Sequence, residues 1–240
     1  MRELRYLKIQ HEFLSESKPL EHGVKSEVKL HGKAILFDMD GTLVDSTSVV
    51  ERAWAWWAQR HQLPLDEILR FSHGRPTAAT YERFRPGVDH TLELAEMLAF
   101  EETELDGITA VPGAGTAVMT ARQGAWAVVT SATRKLAIAR LAAAGLPVPK
   151  VLVPVDEIQR GKPDPEGFLL AAERLGVDPK ECLVFEDTRP GIEAGLNAGM
   201  QVIGLLTTMS AEALAHQPLI RNFLDVRVTA GEAGFEIALR

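Results

Sequence analysis

The stretch that decides the fold is AILFDMDGT, residues 34–42. Ala34 to Phe37 form a short apolar run that stops abruptly at Asp38 and, three residues on, at Gly41. Such a run reads as a buried strand that ends in a loop. In an extended segment residues i and i+2 point the same way, so Asp38 and Asp40 face one centre. Gly41 permits the tight turn that carries the chain away. Two like charges at that spacing need a cation or a shared proton. Mg²⁺ suits them, because it takes one or two carboxylates and keeps several waters.

Working outward, three further apolar runs behave alike. Trp126–Val129 stops at Thr130-Ser131, Cys182–Phe185 stops at Glu186-Asp187, and Val202–Leu206 stops at Thr207-Thr208. Helical periodicity fills the intervals at 114–123, 133–144, 165–175 and 190–199. Strand–helix alternation of this kind predicts an α/β fold, a doubly wound parallel sheet with helices on both faces. Ligands of such sheets bind at the carboxyl ends of the strands, where every polar stop falls.

Residues 49–108 break the alternation. They read as consecutive helices (VVERAWAWWAQRHQ, DEILRF, TAATYERF and HTLELAEMLAFEETEL) and predict an inserted helical cap domain. Trp54, Trp56 and Trp57 read as helix packing within it. The catalytic core is then expected at 34–48 and 109–240. Residues 1–33 fit a floppy leader, a mis-chosen start or an added strand.

Composition narrows the function. There are 26 Lys and Arg against 33 Asp and Glu, a formal net charge of −7. That balance excludes a general nucleic-acid binder, which needs a basic face. A small anionic substrate is compatible with it, since N–H groups and one lysine reverse the field locally. The single cysteine, Cys182, excludes an intrachain disulfide and a Cys-based zinc site. No run approaches a membrane span, and the first residues carry no apolar signal region. The expectation is a cytoplasmic protein without membrane partner, a monomer or weak homodimer.

The acidic pair Glu186-Asp187 ends the third core strand and can complete a metal shell opposite Asp38 and Asp40. Thr130 and Ser131 offer hydroxyls and N–H groups at a helix entrance, a seat for phosphate. Lys162, in Gly161-Lys162-Pro163-Asp164-Pro165, supplies a point charge on a loop stiffened by proline. Asp45 either caps the first helix of the insertion or touches substrate. Together these groups describe a phosphoryl-transfer site.

Four motifs, DMDGTLVDS (38–46), VVTSATR (128–134), RGKPDPEGF (160–168) and FEDTRPGIEAGLNAGM (185–200), resemble those of the haloacid dehalogenase superfamily, in its β-phosphoglucomutase-like branch. The resemblance covers roughly residues 34–208. It implies that Asp38 attacks phosphorus and that Asp40 is the acid and base. It also implies that Asp38, the Asp40 carbonyl and Asp187 hold Mg²⁺, with Glu186 direct or through water. Lys162 would stabilise the phosphoryl charge, and Ser131 would seat the phosphate, with Thr130 as its rival. Dehalogenases of the superfamily lack the second Asp, so Asp40 argues for phosphate chemistry. Ser72-His73-Gly74-Arg75-Pro76 resembles a cap loop of glycerol- and sugar-phosphate phosphatases, which makes His73 and Arg75 candidate contacts to substrate hydroxyls. The implied activity is Mg²⁺-dependent hydrolysis of a small phosphorylated metabolite. The alternatives are a phosphomutase and a non-turnover phosphoacceptor domain.

Overall fold

The computed structural model describes residues 28–72, 77–214 and 217–240. The central layer is a parallel sheet of six strands: β2 (Ala34–Phe37), β5 (Ala125–Val129), β6 (Val151–Val153), β7 (Cys182–Glu186), β8 (Gln201–Leu205) and β9 (Leu219–Ile220). Their order is β6-β5-β2-β7-β8-β9. Winding runs outward one way from β2 through β5 to β6, then restarts on its other side at β7. The switch point therefore lies between β2 and β7, and Asp38 and Glu186 leave the sheet on either side of it.

Period-two alternation explains why the strands read as unbroken apolar runs. Ile35 and Phe37 enter one apolar cluster, and Ala34 and Leu36 enter the other. Helices α5 (Ala114–Ala121) and α6 (Arg134–Ala143) cover the first face. Helices α7 (Glu166–Leu175) and α8 (Arg189–Asn197) cover the second. Phe37 stacks on Phe185 at 5.4 Å, and Phe223 packs against both rings. The helix starts are capped as their residues dictate: Thr133 accepts from the Leu136 N–H, and Thr188 from the Gly191 N–H.

Between β3 (Val44–Asp45) and β4 (Thr109–Ala110) run four helices: α1 (Thr47–His61), α2 (Leu65–Ser72), α3 (Thr77–Phe84) and α4 (Thr91–Thr103). The two short strands pair antiparallel, so the chain leaves and returns on one narrow ribbon. The four helices enclose an apolar cluster of their own around Trp54, Trp57, Ile68, Tyr81 and Met97. Trp57 stacks on Tyr81 at 4.5 Å, and Trp56 lies against Phe100 at 5.8 Å. All three tryptophans are thus engaged in helix packing. Asp45 accepts a hydrogen bond from the Thr47 N–H, a local turn bond just before α1, whose N-cap position is Ser46.

Residues that flank the parallel core on both sides in the chain form a separate antiparallel sheet, whose last two strands the sequence reading did not expect. β1 (Lys29–Gly32), β10 (Val226–Gly231) and β11 (Gly234–Leu239) pair antiparallel in the order β1-β11-β10. Residues 29–32 are therefore the added strand among the readings of 1–33. Residues 1–27 lie outside the described residues. Val226, Phe235 and Ile237 reach the same apolar cluster as Phe37. No helix among the described residues is long and apolar enough to cross a membrane.

Because Phe235 is 3% exposed within that cluster, Phe235→Ala should cost about 3 kcal/mol of stability, read from urea unfolding. A loss below about 1 kcal/mol would show that the terminal sheet is an appendage rather than part of the core.

Candidate active site

The carboxyl ends of β2, β5 and β7 converge on one point. Asp38 follows β2 directly, and its N–H donates to the Phe185 carbonyl of β7 at 2.9 Å. That bond continues the ladder for one more residue and locks Asp38 beside Glu186 and Asp187. Ligand oxygens of Asp38, Glu186 and Asp187 lie within 4.8 Å of one another, and all three residues are buried. Asp38 and Asp187, 149 positions apart in the chain, are brought together by the pairing of β2 with β7.

Lys162 enters from the loop before α7. Its ammonium donates to Asp38 Oδ1, to Glu186 Oε1 at 2.6 Å and to the Val129 carbonyl at 3.3 Å. Glu186 is held from its other oxygen as well: Oε2 accepts the N–H groups of Asp187 and Thr188, each at 2.8 Å, and the Thr188 hydroxyl at 3.0 Å. Both oxygens of Glu186 are thus in use, which suits it to holding Lys162 and the turn into α8. Asp187 differs. Its Oδ1 accepts the Thr42 hydroxyl at 2.9 Å, while its buried Oδ2 makes no hydrogen bond of good geometry.

The electrostatics follow from burying three carboxylates with one lysine. Burial raises Asp38 well above the ordinary carboxylate range; Lys162 opposes the shift, and Glu186 and Asp187 add to it. Burial pushes Asp187 up to about 7, and the Glu186 charge acts in the same direction. Burial also works against the charge on Lys162, but Asp38 and Glu186 outweigh it and hold the lysine above its usual value. The cluster has an excess of negative charge and a buried carboxylate oxygen, Asp187 Oδ2, that makes no well-formed hydrogen bond. Those are the features that a small divalent cation satisfies, so the residues present fit Mg²⁺.

The carboxylate of Asp40 is not in this cluster. Its Oδ2 pairs with Arg140 of α6 at 2.9 Å, and its Oδ1 accepts the Ser46 hydroxyl at 2.8 Å. Arg140 was not legible as a functional residue, although one signal exists. It lies on the buried face of α6 with Leu136, Ala137 and Leu141, where an apolar side chain is expected.

Thr130 is buried, and its hydroxyl accepts from the Ala132 N–H at 3.0 Å, whereas Ser131 is exposed. Both line a small cavity with Gly161 and Lys162. His73 and Arg75 lie outside the described residues.

Two glycines are required sterically. Gly41 has φ +83°, and a Cβ there would stand 2.1 Å from Asp187 Oδ2. A Cβ on Gly191, in the first turn of α8, would stand 1.6 Å from Glu186 Oε1. Gly191→Ala should therefore displace Glu186, release Lys162 and lower the melting temperature by several degrees, on the order of 1–3 kcal/mol of overpacking. A variant with unchanged melting temperature and turnover would contradict this placement.

Comparison with known proteins agrees with this geometry. The family model "haloacid dehalogenase-like hydrolase" matches residues 33–199. Hexitol phosphatase A of Escherichia coli (strain K12) is 41% identical over 198 residues, which cover 80% of this chain and 92% of that protein. Validoxylamine A 7'-phosphate phosphatase of Streptomyces hygroscopicus subsp. limoneus is 37% identical over 204 residues, covering 81% and 96%. A hydrolase from Pseudomonas syringae of known crystal structure superposes with a TM-score of 0.69 at 29% identity, covering 81% and 95%. With its motifs at the switch point of the sheet and a family match over more than half its length, the chain belongs to the haloacid dehalogenase-like hydrolases.

Proposed function

We propose that this enzyme is a Mg²⁺-dependent phosphatase that hydrolyses a small sugar or polyol phosphate through a phosphoryl group carried on Asp38. The observation that supports it most is the buried Asp38, hydrogen-bonded to Lys162 inside a carboxylate cluster that lacks enough positive charge. A nucleophilic carboxylate there is held on a rigid strand end and needs no rearrangement to meet phosphorus. The choice of substrate class draws on similarity to relatives named for a hexitol phosphatase and a validoxylamine A 7'-phosphate phosphatase.

Asp38, Asp187 and the Asp40 carbonyl would hold Mg²⁺, with Glu186 beside them. When bound, the ion supplies neutralisation of the phosphoryl oxygens and of the attacking carboxylate. The remaining steps belong to the chain. The Asp38 oxygen bonds to phosphorus as the bond from phosphorus to the leaving oxygen breaks. Asp40 gives its proton to that oxygen, then takes one from the water that releases phosphate. Lys162 stays charged throughout and balances the phosphoryl oxygens. Thr130 and Ser131 present a hydroxyl and N–H groups at the start of α6 to the phosphate. The four helices of 49–108 act as the cap that excludes water and selects the leaving group, with His73 and Arg75 as its contacts to substrate hydroxyls.

A phosphate-release screen over sugar and polyol phosphates tests this reading. Mg²⁺-dependent turnover is expected, and Asp38→Asn should lower kcat by at least about a thousandfold. Activity surviving in that variant would reject the nucleophile, and isomerised phosphate ester in place of inorganic phosphate would make the enzyme a mutase. Independently of turnover, MgCl₂ added to chelator-treated protein should raise its melting temperature, by about 2.7 kcal/mol of stabilisation at a hundred times Kd. Asp187→Ala should abolish that shift; an undiminished shift would place the ion elsewhere.

A further inference from the structure

Arg140 is a buried charged side chain to which the proposed chemistry assigns no part. It is 4% exposed, on a helix whose buried face is otherwise Leu and Ala. Its Nε and Nη2 are buried without a hydrogen bond. Among the described residues the guanidinium pairs with two acids, Asp40 Oδ2 at 2.9 Å and Glu101 Oε2 of α4 at 3.5 Å. A buried cation with unfilled donors is destabilising relative to an apolar residue of similar volume. Packing therefore does not account for an arginine here.

The position of Asp40 does. Asp40 stands two residues from Asp38, past a bend at Met39, so its carboxylate starts close to the cluster without being bound into it. A fourth carboxylate in a cluster already short of positive charge would compete for the same cation. Arg140 takes Oδ2 while Ser46 takes Oδ1, so both oxygens are gripped and the carboxyl plane is fixed outside the cluster. We propose that Arg140 is a positioning residue that holds Asp40 apart from the ion-binding carboxylates and so keeps it available as the proton carrier for the leaving group. This rests on the phosphatase reading and adds to it the group that separates its two acidic roles. The guanidinium keeps its own protons; the one that moves goes from Asp40 to the departing alkoxide oxygen.

The test is leaving-group dependence of kcat/KM, which covers the steps up to departure of the alcohol. A sugar or polyol alkoxide needs a proton to leave; the phenolate of p-nitrophenyl phosphate does not. Arg140→Met should lower kcat/KM about 10²-fold for the best sugar or polyol phosphate of the release screen, the scale of lost general-acid catalysis. It should leave p-nitrophenyl phosphate little changed. Arg140→Lys, which keeps the charge, should restore part of the loss for the alkyl ester alone, and it carries the test should the methionine variant fail to fold. Equal losses for both esters, or a rise in KM alone for both, would make Arg140 a strut between core and cap through Glu101 and overturn the proposal. Neither result bears on Asp38, whose Asn variant tests the underlying phosphatase separately.

Discussion

The structure depends on the burial of three carboxylates at one sheet edge with a single lysine among them. Asp38, Glu186 and Asp187 repel one another, and Lys162 offsets only part of that charge. Their neighbours are organised to make the burial tolerable. Glu186 is satisfied by the N–H groups of the turn into α8, Asp187 accepts the Thr42 hydroxyl, and Asp38 sits on the backbone ladder of β7. What is left over is charge and one oxygen without a well-formed hydrogen bond, which a bound cation and a phosphoryl dianion would use together.

Sheet topology makes this possible. Because the winding reverses between β2 and β7, no crossover helix lies above their carboxyl ends, and the edge is open to a ligand. Gly41 and Gly191 are needed for the same reason: the carboxylates pass so close to the backbone that a methyl group would collide with them. Asp40 follows a different course. The turn at Gly41 carries the chain toward the helical insertion, and Arg140 and Ser46 meet its side chain there.

Two additions flank this machinery. The helical insertion has its own apolar cluster and joins through the β3–β4 ribbon, so it has few covalent routes by which to transmit strain. The terminal sheet is different in kind. β1, β10 and β11 lie outside the residues matched by the family model, yet Phe235 and Ile237 pack into the main cluster. In this chain residues 29–32 and 226–239 help to complete the core.

Much was legible in the sequence because it was local. Four of the six strands of the parallel sheet, β2, β5, β7 and β8, announced themselves by an apolar run and a polar stop, and Asp38, Asp187 and Lys162 stood out by residue type at a strand end or on a proline-bounded loop. The insertion read as helices because it contains no strand-like apolar run. β6 and β9 escaped because strands of three and two residues carry no usable period, and neighbours rather than propensity make them strands. The hairpin of β10 and β11 does alternate, in VRVTA and FEIAL, but its partner β1 lies some 200 residues away. Sequence chemistry thus determined which groups are candidates for the site's work. Only tertiary structure decided how they divide it, because that Glu186 grips Lys162 and Arg140 draws Asp40 aside depends on contacts between elements far apart in the chain, and pairwise electrostatics has no meaning until distance and burial are set.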